Sequence, residues 1–288
     1  MQSASRTPAD LVINPRNVML GRGKRQLRWW KDNDPVATAF YNSLSMAFPL
    51  GEAFFIDSVR HYRDSVPPSL QVQIDAFIKQ EGGHSREHAH FNRQVQNSGY
   101  DTSSIEAEMA KWSAEMKGAP ADVNLAVTSA TEHLTAIIAH AILKGDRHFK
   151  EDSAENARLW KWHAIEEVEH KSVAYDTFLA VTRSLSRFER WRFRSLVLLV
   201  VTGEFLTERV RFMSSFFDQD GINKPRTWMR AFFYLFIYPG LLRQIFPAWL
   251  SFFRPNFHPW QCDDRALIAV TEAKLALRPS REAAAADA

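Results

Sequence analysis

The sequence predicts an all-α protein, with a four-helix bundle followed by extra C-terminal helices. Two copies of one pattern support this: a glutamate, then on the next helix a Glu-x-x-His motif. The copies are Glu52 with Glu81 and His84, and Glu132 with Glu167 and His170. A glutamate and a histidine three residues apart share one face of a helix. Helix start and stop signals are clear along the chain, while strand signals are poor.

Prolines and glycines mark the bounds of the first four helices. Asp34-Pro35 starts the first one, because proline suits an early helical position. Pro49 lies inside it and predicts a kink or a break, since proline lacks a backbone donor. The predicted helices are 34–64, 68–97, 102–117 and 119–143.

The remaining elements are a ligand-bearing helix and two longer apolar segments. Ser153 caps a helix that reaches about Thr182. Segments 187–217 and 227–253 follow, and the second is interrupted by Pro239-Gly240 and Pro247. We therefore expect three units. They are a polar, partly disordered lead-in (1–33), a four-helix bundle with a dinuclear metal site (34–182), and a C-terminal helical extension (183–288) whose end, 283–288, is frayed.

Composition places the chain in a reducing compartment. Cys262 is the only cysteine among 288 residues, which excludes an intramolecular disulfide framework. Met1 to Val18 contains no apolar core of signal-peptide length. We expect a cytoplasmic protein.

The paired motifs predict a dinuclear metal site. Four carboxylates cancel the charge of two divalent ions, whereas without metal they would repel one another and resist burial. The predicted ligands are Glu52, Glu81, His84, Glu132, Glu167 and His170. His88 and His163 share the ligand faces, as extra ligands, as donors that hold a carboxylate in place, or as core histidines. His133 points about 100° away from Glu132 around its helix.

Two details of the second helix allow other interpretations. Gly82 and Gly83 separate Glu81 from His84 and cost about 1 kcal/mol each relative to alanine. They indicate either close packing or space for oxygen or substrate. The stretch from His84 to His88 also matches the zinc motif HxxEH, but that hypothesis leaves the second copy of the pattern unexplained. GxSxG, P-loop, GxGxxG and CxxC motifs are absent from the sequence.

Four stretches resemble a known bacterial family. They are Phe48–Phe55, Gln80–Asn92, Trp162–Lys171 and Phe253–Trp260. Together they look like the family labelled "predicted metal-dependent hydrolase", whose members are similar to ferritin-like di-iron proteins. The resemblance spans about residues 35–265 and implies that the bundle is ferritin-like. Gly82 departs from the pattern, where a second acidic residue is expected beside Glu81.

The ligand set favours oxygen chemistry. A buried Glu/His set on four helices suits two iron ions, with Mn/Fe as an alternative. We expect a di-iron, O₂-activating oxidase or oxygenase that acts on a hydrophobic small molecule and takes electrons from a donor. The alternatives are a metal-dependent hydrolase and a non-catalytic, metal-binding ferritin-like protein.

The C-terminal third indicates a contact surface. From Arg183 to Arg254 the sequence has twelve Lys or Arg and five Asp or Glu. Its longest uncharged run, Ala231–Leu242, is too short to span a bilayer. Basic and aromatic residues around short apolar helices suit the inner face of a membrane, and the basic stretch Arg22–Lys31 could join them. The alternatives are packing on the bundle and a homodimer contact. A nucleic-acid partner is not expected, since the basic residues lie among bulky apolar ones.

Overall fold

The computed structural model describes residues 7–20, 26–145, 147–149 and 155–275. These residues form helices and turns without a strand, which confirms the all-α prediction. The helices are α1 (Pro35–Arg60), α2 (Pro68–Asn97), α3 (Ser103–Lys117), α4 (Ala121–Leu143), α5 (Glu155–His170), α6 (Val173–Val181), α7 (Arg187–Gln219), α8 (Pro225–Phe232), α9 (Leu241–Ser251) and α10 (Arg265–Leu275).

Four helices surround the predicted ligands. α1 packs along α2, α4 packs along α5, and α1 and α2 contact α4 and α5 respectively. Apolar side chains between them, such as Tyr41 and Trp162, are almost fully buried. This packing brings the ligand faces together, whereas the ferritin-like arrangement stays a prediction.

Pro49 does not break α1. Proline at this position cannot donate to the carbonyl of Ser45, one turn earlier. Instead Asn92 on α2 donates its Nδ2 hydrogen to that carbonyl over 3.0 Å. The neighbouring helix therefore satisfies the acceptor that the proline leaves unpaired, and α1 continues through Glu52.

The helix predicted to end near Thr182 is two helices. The chain turns at Lys171 and Ser172, between α5 and α6. There the Lys171 ammonium donates to the Cys262 carbonyl over 2.8 Å and to Asp264 over 2.5 Å. A C-terminal segment thus docks where the helix is interrupted. Ser153, its predicted cap, lies outside the described residues.

The C-terminal extension packs on the inner helices. α7 lies against α1 and α4, and α9 lies against α4. A π-helical turn, Phe233–Ile237, follows α8, and Pro247 does not interrupt α9. Helix α10, which the sequence did not predict, contacts α5. None of the described helices carries an apolar run long enough to cross a membrane.

Several basic residues are turned inward. Arg194 and Arg209 on α7 are buried, and Arg194 donates to the carbonyls of Phe252 and Arg254. In the predicted basic stretch, Arg28 pairs with Asp220 and Lys31 is buried. Arg22, Lys24 and Arg25 lie outside the described residues, as does 283–288.

Candidate metal centre

The structure brings the six predicted ligands together in the interior. Each is at most 4% exposed. Each of the four helices contributes from one side: Glu52 from α1, Glu81 and His84 from α2, Glu132 from α4, and Glu167 and His170 from α5.

Two groups of potential ligands share Glu81. In the first group, His84 Nδ1 lies 3.6 Å from Glu81 Oε1 and 3.5 Å from Glu167 Oε1. In the second, His170 Nε2 lies 3.1 Å from Glu81 Oε1 and 3.3 Å from Glu132 Oε2. The ligand atoms of each group all lie within 4.8 Å of one another. Glu81 is therefore common to both groups.

Three of the buried carboxylates contact histidines but make no well-directed hydrogen bond among the described residues. Both side-chain oxygens of Glu52, Glu81 and Glu132 have no hydrogen-bond partner among the described residues. Burial, together with the nearby Glu167 carboxylate, raises the pKa of Glu132 to about 8. Burial and the Glu81 charge likewise raise the pKa of Glu52. Since buried polar groups normally have partners, these oxygens fit a cation.

The two histidines respond to the same negative charge. Burial alone would lower the pKa of His84, but its contacts with Glu166 and Glu81 raise it to about 10. Burial likewise opposes protonation of His170, whose pKa is nevertheless raised by Glu132 and Glu167. Protons therefore balance the carboxylates in the metal-free protein, and metal ions would replace them.

Gln80, which the sequence did not single out, fixes the ring of His170. The Gln80 Nε2 group donates to a Glu169 oxygen over 2.8 Å, so the amide oxygen must point the other way. That oxygen accepts from His170 Nδ1 over 2.9 Å. The Nε2 atom of His170 is thereby turned towards Glu81 and Glu132.

The N-terminal segment also contacts residues that hold the ligands in place. Arg16 is buried and pairs with Glu166, Glu169 and Glu272. The second oxygen of Glu166 lies 3.0 Å from His84 Nε2, which leaves Nδ1 facing the carboxylates. Part of the expected polar lead-in, residues 7–20, therefore supports the centre.

A chain of hydrogen bonds determines which ring nitrogen of His88 carries the hydrogen. The Nδ2 group of Asn92 donates to the Ser45 carbonyl, so the other end of the amide, Oδ1, is an acceptor. It accepts the hydroxyl hydrogen of Ser45 over 2.6 Å. Ser45 Oγ must then accept from His88 Nδ1, at 2.8 Å. Burial lowers the pKa of His88 well below its usual value. The neutral ring therefore presents a lone pair at Nε2.

The same chain fixes the orientation of the His163 ring at the edge of the centre. His163 Nδ1 donates to His88 Nε2 over 2.7 Å. Burial and the His84 charge lower the pKa of His163, whereas its hydrogen bond with Glu167 opposes that shift. The Nε2 atom lies 2.9 Å from Glu167 Oε1 and 3.8 Å from Glu52 Oε1. With Glu52 and His84, His163 forms a further group with metal-ligand atoms.

The zinc-motif hypothesis does not fit these contacts. Both ring nitrogens of His88 are engaged by Ser45 and His163. Glu87 instead accepts from the Leu20 backbone and from Arg86. His84 and His88 therefore do not form a mononuclear site with Glu87.

Helix packing does not require glycine at position 82 or at position 83. A Cβ atom at Gly82 would meet nothing within 4 Å, and one at Gly83 would make ordinary contact with Trp162 at 3.7 Å. Gly82 is also exposed rather than turned towards the buried centre. Neither close helix packing nor space beside the metals therefore accounts for Gly82.

A separate cavity lies outside this centre. It has a volume of about 690 Å³ between α4, α9 and the segment after α9, and none of the six predicted ligands lines it. On its wall, His140, Cys262 and Asp264 form a further group with metal-ligand atoms. The Lys171 ammonium forms an ion pair with Asp264 there, so the charge of this carboxylate is already balanced by a side chain. His133 also lines the cavity, away from the centre, as predicted.

Comparison with known proteins agrees with a metal centre. Residues 14–263 match the family model described as "Predicted metal-dependent hydrolase". The chain belongs to this family. Metal dependence follows from the family description together with the three buried Glu/His groups. No curated protein and no solved structure matches the chain.

Proposed function

We propose that the protein is a hydrolase with a dinuclear metal centre. The observation that supports this proposal is the cluster of buried carboxylates Glu52, Glu81 and Glu132, whose oxygens have no hydrogen-bond partner among the described residues. They belong to three buried Glu/His groups, two of which share Glu81. Four carboxylates balance two divalent ions, so occupancy leaves little uncompensated charge. The proposed ligands are Glu52, Glu81, His84, Glu132, Glu167 and His170.

The proposed chemistry divides between the ions and the chain. Two bound ions would polarise a substrate oxygen and lower the pKa of a bound water. With Glu167 bound to an ion, the Nε2 atom of His163 would no longer share its hydrogen bond with that carboxylate and would accept the proton, while the Nδ1 hydrogen stays bonded to His88. The ring of Phe48 packs on both imidazoles, at centroid distances of 4.7 Å and 4.8 Å. It holds the pair in place and excludes bulk water.

Replacement of His163 by alanine tests this assignment. We expect the variant to keep two ions per chain and to lose metal-dependent hydrolysis of a panel of ester, amide and phosphoester substrates. Loss of an ion would instead make His163 a ligand. Unchanged hydrolysis would exclude it as the proton acceptor.

A second candidate is a di-iron oxidase or oxygenase. It is favoured by the donor set, which consists of Glu and His on four helices and suits iron, or Mn/Fe. Such an enzyme would act on a hydrophobic small molecule with O₂ and an electron donor. Anaerobic loading with Fe(II) followed by O₂ separates the candidates, since oxygen uptake without hydrolysis supports the oxygenase. Two bound ions with neither activity would support a non-catalytic metal-binding protein.

A further inference from the structure

Exposed apolar side chains gather at the end of α8 and in the π-helical turn that follows it, a region called the tip here. It consists of Met229, Phe232, Phe233, Phe236, Ile237 and Tyr238. Phe233 is 54% exposed and Tyr238 is 71% exposed. Phe246 and Leu250 on α9 are exposed as well. Exposed apolar residues that occur singly need no explanation, but a contiguous group of this size marks an interaction site.

Backbone carbonyls of the tip are hydrogen-bonded by a side chain of α9. Arg243 donates to the carbonyls of Phe236 and Ile237, over 3.2 Å and 3.0 Å. Gly240 has a φ of 75°, and a Cβ atom there would lie 2.7 Å from the Ile237 carbonyl oxygen. Arg243, which is itself exposed, thus satisfies two backbone carbonyls of the turn, while the aromatic side chains remain exposed.

The segment that carries the tip is basic, although one of its arginines, Arg230, pairs with Asp34. The whole stretch from Gly221 to Cys262 contains no Asp or Glu. Its basic residues are Lys224, Arg226, Arg230, Arg243 and Arg254. Apolar side chains within a basic surround match the interface of an anionic bilayer, where the rings enter the headgroup region and the cations attract the lipids.

We propose that the tip docks the protein onto an anionic lipid surface without spanning it. A second copy of this chain is a poorer occupant. A two-fold contact would bring identical surfaces together, and the basic residues of one tip would then face those of the other.

Co-sedimentation of the full chain with vesicles tests the proposal. We expect the wild type to pellet with phosphatidylcholine vesicles that contain phosphatidylglycerol and to be released as salt rises. Pure phosphatidylcholine should bind it weakly. The double variant Lys224→Glu/Arg226→Glu should bind about 30-fold more weakly or worse, from roughly 1 kcal/mol per basic residue.

Apolar variants supply the matched comparison. Phe233→Ser/Ile237→Ser should lose vesicle binding, whereas Val72→Ser/Val270→Ser, at exposed positions elsewhere, should retain it. Helicity and metal content should be unchanged in all variants. A wild-type protein that stays in the supernatant with anionic vesicles would overturn the proposal. So would a wild-type dimer that the tip variant converts to a monomer with unchanged vesicle binding.

Discussion

Replacing Gln80 by leucine tests how the centre is oriented. Leucine keeps most of the side-chain volume but removes the acceptor of His170 Nδ1, which lies 2.9 Å away. Loss of such a partner typically weakens metal binding about 10- to 100-fold, which corresponds to about 1.4 to 2.7 kcal/mol. The effect should fall on the group of Glu81, Glu132 and His170. The group containing His84 keeps its own support from Glu166.

Titration of metal-free protein against a chromophoric chelator measures both binding steps. We expect one step to weaken in Gln80→Leu and the other to keep its affinity. Gln71→Leu on the same helix is the control, because the Gln71 side chain donates to the nearby Val66 carbonyl and does not contact the centre. If both steps keep wild-type affinity in a natively folded Gln80→Leu protein, Gln80 does not position the ligand.

Three further predictions concern ligands, helix stability and pH. Glu81→Ala or His170→Ala should lower bound metal from about two ions per chain towards one or none. The control His133→Phe should keep its metal, because His133 packs against Phe252 and Phe257. Elemental analysis measures the metal content of all three variants. Gly82→Ala should raise the free energy of unfolding by about 1 kcal/mol, since its Cβ meets open space; a decrease in urea denaturation would reveal a constraint on Gly82. Burial opposes ionisation of Asp264, but His140 and Lys171 lower its pKa to about 2. Ionised Asp264 therefore stabilises the folded state above the pKa that aspartate has in the unfolded chain. This stabilisation is lost as pH falls through the pKa of Asp264 in the folded protein. Asp264→Asn should cost roughly 2 kcal/mol at pH 7, and urea curves for the two proteins should converge at acid pH; a constant difference would contradict this.

The sequence predicted the parts of the centre that follow helix periodicity. Glu81 and His84 share a face because they are three residues apart, and Glu167 and His170 repeat the spacing. The structure places these residues together with Glu52 and Glu132. The supporting residues follow no spacing rule. Gln80 and Arg16 reach the centre through tertiary contacts with Glu169, so periodicity could not reveal them.

The errors in the helix boundaries have a similar cause. Pro49 predicted a kink or a break, and α1 runs through it without a break because Asn92 on another helix satisfies the affected carbonyl. The interruption after His170 had no local signal, because Lys171 turns towards Asp264, far along the chain. Long-range partners override local propensity at both places.

Metal analysis of the full chain, purified without a chelator, tests the central claim most directly. A dinuclear centre predicts about two transition-metal ions per wild-type chain and a clear loss in Glu81→Ala, whose carboxylate belongs to both groups. Wild-type protein that binds no metal after reconstitution, or equal stoichiometry in the two proteins, would contradict the account.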